Sequence, residues 1–300
     1  GKAHVATGTV QNVFVGNESG FRNTTGVTNT FVGGSSGAAN TTGSNNVAVG
    51  TNALDANTTA GYNTAVGVDS LGANTTGEYN VAIGALALDA NTTADNNTAV
   101  GTSALTANTT GANNTAMGAD AGLAVTTGLM NTLIGAEAGD ALTDADYNVA
   151  VGKEALGSDT LGSKSVAIGT SALYTQNFTS ATDAYNTAVG HNSGTNVTTG
   201  VNNTLIGGLA GDAITDADEN VAVGMNALAT NTLGSSSVAI GHQALFAQNY
   251  TSATNAYNVA VGKNAGVAVT TGTVNTLIGG FAGDAITTGS NNTGVGNAAL

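Results

Sequence analysis

The chain has 300 residues, five of them basic and nineteen acidic, for a net charge of −14 with only 8% of residues charged. That balance argues against nucleic acid or an anionic membrane as partner, and no apolar run approaches the ~18 residues that a membrane-spanning helix needs. There is no Cys, hence no disulfide and no thiolate metal site, and no Pro, as expected where nearly every backbone amide is needed for a hydrogen-bonded ladder.

In chain order, a glycine closes a short apolar tripeptide at Gly16, Gly33, Gly50, Gly67, Gly84, Gly101, Gly118, Gly135, Gly152, Gly169, Gly190, Gly207, Gly224, Gly241, Gly262, Gly279 and Gly296. The interval is 17 residues, except for 21 between Gly169 and Gly190 and between Gly241 and Gly262. A short fixed period means a stack of equivalent coils. It predicts an all-β fold, a parallel β-solenoid or β-roll, running as one continuous domain over residues 1–300. At ~4.8 Å per coil such a stack would be roughly 80 Å long. Gly1 reads as a processed or trimmed start, and Leu300 falls inside a coil. Solenoids normally need polar end caps, so the expectation is a segment of a longer fibre, or ends covered by other subunits.

The coil from Asn46 to Tyr62 serves as the type unit. Val47-Ala48-Val49 reads as a short strand ended by Gly50 at a corner. A second extended piece is expected at Ala53-Leu54, with Asn57-Thr58-Thr59 turning the chain back. Side chains alternate along a strand, so Val47 and Val49 share one face and Ala48 takes the other. In other coils the Ala48 position holds Phe14, Phe31, Leu133, Leu205 or Leu277, so both faces are largely apolar. A coil this small buries only one face. The face of Phe14, Phe31, Ala48, Leu133, Leu205 and Leu277 is therefore expected to be an oligomer interface covered by sister chains. Asn recurs at the strand entrance (Asn46, Asn63, Asn80) and before the Thr pair (Asn57, Asn74, Asn91), where stacked amides would bond coil to coil.

Some coils carry Ala-Leu after the glycine (Ala53-Leu54, Ala104-Leu105), others Ala-Gly (Ala121-Gly122, Ala138-Gly139). From Gly118 a four-coil super-repeat of 72 residues appears, as from Gly118 to Gly190 and again to Gly262. Its duplication suggests selection for length. The two long coils hold six aromatic residues, Tyr174, Phe178, Tyr185, Phe246, Tyr250 and Tyr257. They are candidates for sugar or partner binding, or else for pinning the loops. Asp140, Asp144 and Asp146, repeated as Asp212, Asp216 and Asp218, offer a weak Ca²⁺ pattern, because Ca²⁺ takes several oxygen ligands. No other cofactor is expected. His4, His191 and His242 stand alone in the sequence. No nucleophile elbow, phosphate loop or zinc motif occurs, so an enzyme is not expected.

The run Ser165-Val-Ala-Ile-Gly169 resembles the Ser-Val-Ala-Ile-Gly repeats of trimeric autotransporter adhesin heads of the YadA type. The longer pattern from Asn97 to Gly111 is similar to repeats of phage tail-fibre and bacterial surface proteins that often precede an endosialidase-type chaperone domain. The resemblance covers almost the whole chain. It implies a left-handed β-roll, commonly trimeric, whose exposed surfaces serve attachment. The period of 17 is longer than the adhesin head's usual coil. The family's stalk, anchor and chaperone sequences do not occur within these 300 residues, so the point of attachment to a membrane or virion is not placed in this segment.

The function expected from these features is a structural, self-associating rod of an extracellular or virion fibre, serving attachment to a cell-surface receptor or glycan. The alternatives are a subunit of a homopolymeric filament and, in another class, an ice- or surface-binding solenoid with Thr58, Thr75, Thr92 and Thr109 in an array.

Overall fold

A computed structural model describes residues 11–300. His4 lies outside the described residues. The chain divides into two compact units, Gly1–Tyr147 and Asn148–Leu300, and each is a parallel β-solenoid. Among the described residues there is no helix.

The first unit contains strands β1 (Val13–Val15), β2 (Thr30–Val32), β3 (Val47–Val49), β4 (Thr64–Val66), β5 (Val81–Ile83), β6 (Thr98–Val100), β7 (Thr115–Met117) and β8 (Thr132–Ile134). Each pairs in parallel with the next, and each residue faces its equivalent in the following coil: Val47 with Thr64, Ala48 with Ala65, Val49 with Val66. The same register runs from β1 to β8.

The second unit repeats this with β9 (Val149–Val151), β10 (Gly162–Ser163), β11 (Val166–Ile168), β12 (Thr182–Asp183), β13 (Thr187–Val189), β14 (Thr204–Ile206), β15 (Val221–Val223), β16 (Gly234–Ser235), β17 (Val238–Ile240), β18 (Thr254–Asn255), β19 (Val259–Val261), β20 (Thr276–Ile278) and β21 (Thr293–Val295). The short pairs β10–β12 and β16–β18 form small parallel sheets of their own and reach into the two long coils.

β-branched residues at both ends of each tripeptide favour the strand, and the glycine ends it. Gly50 sits at φ 142°, a region L-residues rarely adopt, and a Cβ there would collide with the carbonyl oxygen of Gly67 in the next coil. Only glycine lets the stacked backbones approach this closely.

The expected extended piece at Ala53-Leu54 is not a strand. Asn52 and Leu54 both have φ 55° and alternate with residues outside the left-handed region. Their amides still reach the neighbouring coils: the Asn52 N–H donates to the Gly34 carbonyl at 2.9 Å and the Leu54 N–H to the Ser70 carbonyl at 3.0 Å. A coil-to-coil ladder therefore does not require an extended backbone. Left-handed geometry costs an L-residue about 1–2 kcal/mol, and full burial of a leucine offsets it with about 1.5–3 kcal/mol. Leu54, Leu71, Leu88 and Leu105 are all fully buried.

Three side chains fill each coil, and their sizes compensate. Where the strand centre is large, as at Phe31, the left-handed position is glycine, as at Gly37; in most coils with Ala at the centre, as at Ala48, it is leucine, as at Leu54, and the coils of Ala116, Ala188 and Ala260 carry glycine there. A Cβ on Gly37 would lie 2.5 Å from the Phe31 ring, and one on Gly139 would lie 2.7 Å from a methyl of Leu133. The same exchange occurs in the second unit at Leu205 with Gly211 and Leu277 with Gly283. Every large strand centre is thus matched by a glycine in its own coil, while the glycines of the Ala116, Ala188 and Ala260 coils leave room for leucines of the adjacent coils, as Gly122 does for Leu105 and Leu133. The third position is polar in most coils, as at Asn57, Asp159 and Gln176, and apolar in others, as at Val125, Leu142 and Ile214; all six are fully buried.

Two columns of buried asparagine bind coil to coil. In the inner one the Asn63 N–H donates to Asn46 Oδ1 at 2.9 Å, while Asn63 Nδ2 donates to the Gly77 carbonyl at 2.8 Å. In the outer one Asn57 Nδ2 donates to Asn40 Oδ1 at 2.8 Å, and Asn91 Nδ2 to Asn74 Oδ1 at 2.8 Å. The outer column ends at Asn108, whose buried Oδ1 has no hydrogen-bond partner; Val125 holds the equivalent position in the next coil.

Candidate functional surfaces

The residues assigned to an oligomer interface line the coil interior instead. Phe31, Ala48, Leu133, Leu205 and Leu277 have no solvent exposure, and Phe14 is half-buried, stacked on Phe31 at 5.1 Å between ring centroids. The coil does bury one face only, as expected, but it is this one. The glycine six residues later makes the room.

The outward face is the other one. Val15 is 56% exposed, Val49 37%, Ile83 41% and Met117 45% in the first unit, and Ile168, Ile206, Ile240 and Ile278 are similarly exposed in the second. In every coil the residue before the corner glycine is Val, Ile or Met, and the outward residue two before it is Val or Thr. Each unit therefore carries an uncharged stripe two side chains wide on its parallel sheet.

The aromatic residues of the long coils divide into two groups. Phe178 and Tyr250 are buried. The Tyr250 hydroxyl donates to the Gly272 carbonyl at 2.8 Å, and burial pushes its phenol above the ordinary value. These two rings pin their loops. Tyr174, Tyr185 and Tyr257 are exposed and Phe246 is half-buried. Lys164 Nζ lies 2.5 Å from Asp183 and 5.2 Å from the Tyr185 ring centroid, a cation–π distance. The first unit has an exposed stacked pair that the aromatic reading of the sequence did not single out, Tyr62 and Tyr79, 5.0 Å apart.

Four of the six aspartates of the Ca²⁺ pattern bond to an adjacent coil, whereas the buried Asp212 Oδ1 has no hydrogen-bond partner. Asp144 accepts from the Thr127 hydroxyl at 2.5 Å, Asp146 from the Leu129 N–H at 2.7 Å, Asp216 from the Thr199 hydroxyl, and Asp218 from the Val201 N–H at 2.8 Å. Partial burial raises the carboxyls of Asp140 and Asp212 above the usual range. Among the described residues no group of three or more acidic or His side chains is placed to hold a metal ion. His191 and His242 are exposed. Thr58 and Thr75 donate their hydroxyls to the carbonyls of Thr75 and Thr92, as Thr92 and Thr109 do to the coils that follow. The outward hydroxyls in this region belong to the next column, including Thr59 and Thr76.

One buried carboxyl has no counterpart in the super-repeat. Asp159 is fully buried and accepts from Gln176 Nε2 at 2.6 Å, the Gly162 N–H at 3.0 Å and the Phe178 N–H at 3.3 Å. Gln176 Nε2 also donates to Ser165 Oγ at 3.0 Å, and its Oε1 accepts from Asn186 at 2.9 Å. Burial raises the Asp159 pKa above its ordinary value, against the opposing effect of these donors. In the next super-repeat the same position is Asn231, whose Oδ1 accepts from the Gly234 N–H at 3.0 Å and whose Nδ2 donates to the Gly234 carbonyl at 2.7 Å.

A raised folded pKa means that the charged form is the penalised one. The penalty is absent below the unfolded pKa of 3.8 and complete above the folded value. Asp159→Asn should therefore raise stability at neutral pH, by about 1–3 kcal/mol for relief of a buried charge, with Gln176 keeping its bonds to Ser165 and Asn186, as Gln248 beside Asn231 bonds to Ser237 and Asn258. The advantage should shrink as pH falls toward 3.8. Thermal melts of both proteins across that range check it; a gap that is constant or widens in acid would refute the assignment.

Compared with known proteins, the chain matches no family model and no curated protein.

Proposed function

We propose that the chain is a structural, self-associating rod of an extracellular or virion fibre, with its outer columns serving attachment. The observation that carries this reading is how the buried polar groups are used. Buried asparagines such as Asn46, Asn63 and Asn80 bind one coil to the next, and the Thr58 and Thr75 hydroxyls do the same. The residue after each corner glycine varies widely from coil to coil, as at Thr51, Val68, Lys153 and His191. A scaffold of this kind gains length by adding coils and presents side chains at regular spacing.

Electron microscopy of the purified chain tests the reading. Discrete, unbranched short rods are the expected result. Micron-long filaments would favour the alternative of a polymerising subunit, and compact round particles would overturn the rod. Retention on intact cells or on a glycan surface tests the attachment half, and thermal hysteresis in ice would move the assignment to a surface-binding solenoid.

A further inference from the structure

The stripe of Val49, Ile83 and Met117 in the first unit, and of Ile168, Ile206 and Ile240 in the second, is partly exposed apolar surface on the parallel sheet of each unit. Soluble proteins rarely leave a contiguous apolar patch of this kind uncovered. We infer that this stripe is the surface through which copies of the chain associate side by side, an inference that rests on the self-associating reading above.

Three observations select a second copy as the occupant. The first is charge. The chain carries −14 overall, yet no charged residue occupies either outward strand position in any coil. Two copies repel wherever their acidic columns face each other, and the stripe is where that repulsion is least. The second is spacing. The side chains recur once per coil, ~4.8 Å apart, and another copy of this chain carries the same spacing, so its rows fit along the whole stripe. A partner with an irregular surface would match only a few coils. The third is extent. Full burial of a Val or Ile removes roughly 60–120 Å² at about 25 cal/mol per Å², so partly exposed side chains, two per coil, offer on the order of several hundred Å² in each unit. That approaches the ~800 Å² per partner of a standard stable interface.

The sequence pattern makes the same distinction in chemical terms. A position free to face water varies in character, as the residue after the corner glycine does: Thr51, Val68, Ala85, Thr102, Lys153, His191 and Asn297 all stand there. The residue before that glycine never leaves Val, Ile and Met.

The test is the native mass of the full chain, by light scattering or native mass spectrometry. It compares wild type, a stripe variant (Val49→Glu, Ile83→Glu, Ile206→Glu) and a control carrying the same charges on another exposed column (Thr59→Glu, Thr76→Glu, Thr110→Glu). Wild type and control are expected to be assemblies of equal copy number, and the stripe variant to dissociate on the order of 100-fold more readily. Circular dichroism verifies that each variant is folded. Should the glutamates unfold it, Val49→Thr with Ile83→Thr decides, with a smaller weakening expected. A stripe variant that assembles like wild type overturns the interface and leaves self-association standing. A wild type that stays monomeric at high concentration, or that binds a different protein or a glycan through the stripe, overturns the second copy as occupant.

Discussion

Phe31→Ala and Gly37→Leu should each destabilise the first unit, and combining them should restore much of what each loses. Phe31 is fully buried, and its truncation opens a cavity worth about 3–5 kcal/mol. Leucine at position 37 meets the Phe31 ring, since even its Cβ would lie 2.5 Å away, and overpacking of this kind costs about 1–3 kcal/mol. The double variant places Ala, Leu and Asn at positions 31, 37 and 40. Ala48, Leu54 and Asn57 form that same set one coil later, and the backbone already suits it: Gly37 has φ 58° and Leu54 φ 55°. The remaining losses are the stacking of Phe14 on Phe31, about 0.5–1.5 kcal/mol, and the left-handed leucine, about 1–2 kcal/mol. A coupling of at least about 2 kcal/mol is therefore expected between the two substitutions. Denaturant unfolding of the four proteins measures it, and strictly additive losses would contradict the volume constraint.

The second large effect concerns the asparagine columns, and it comes as an ordering. Asn80→Val removes the only acceptor given to the buried Asn97 N–H, which donates to Asn80 Oδ1 at 2.9 Å. It also removes one of the two donors to the Ala94 carbonyl. A buried orphan N–H costs about 1–3 kcal/mol, and such groups are rare in folded proteins. A total of about 2–4 kcal/mol is expected. Asn74→Val breaks the outer column and strips Asn57 Oδ1 of its donor, for about 1–3 kcal/mol. Asn108→Val should be nearly neutral. Its Oδ1 is already unpartnered, so the substitution moves that deficit to Asn91 Oδ1, which now accepts from Asn108, and takes from the Gly111 carbonyl one of two donors, leaving it Asn97 Nδ2. Melting temperatures of the three variants give the order directly, and an Asn108 variant as damaged as the Asn80 variant would show that the columns do not carry the energy assigned to them.

Much of this architecture was legible in the sequence. The glycine interval gave the coil, because a residue that must accommodate a neighbouring carbonyl cannot drift in position. The tripeptide before each glycine gave the strand, and the regular asparagines gave the ladders. The direction of the two strand faces was not legible from alternation alone, because Val47-Ala48-Val49 is apolar on both sides. The large apolar residues Phe31 and Leu133 were then assigned to a covered outer face, whereas they fill the inside. The missing signal was present six residues downstream, where Gly37 and Gly139 replace the leucine found in most coils with Ala at the strand centre. Reading single positions conceals it, and reading pairs within a coil exposes it. The Ala53-Leu54 segment was misread for a different reason. Its coil-to-coil bonds come from alternating left-handed residues such as Asn52 and Leu54, and nothing in the identity of a leucine announces a left-handed backbone. Among the aromatic residues of the long coils, sequence could not separate Phe178 and Tyr250, which fill space, from Tyr185 and Tyr257, which face out.

The orientation of the strands is the premise beneath both the filled interior and the associating stripe, and the absence of native cysteine makes it directly measurable. Single cysteines placed at Ala65 and at Val66, adjacent residues of β4, should behave oppositely toward a short thiol-reactive cross-linker. Cysteine at 66 should join chains covalently into linked species, while cysteine at 65, enclosed in its own coil, should remain unreactive until the protein is unfolded. Cross-linking through position 65, or equal reactivity at the two positions in the folded protein, would contradict the account.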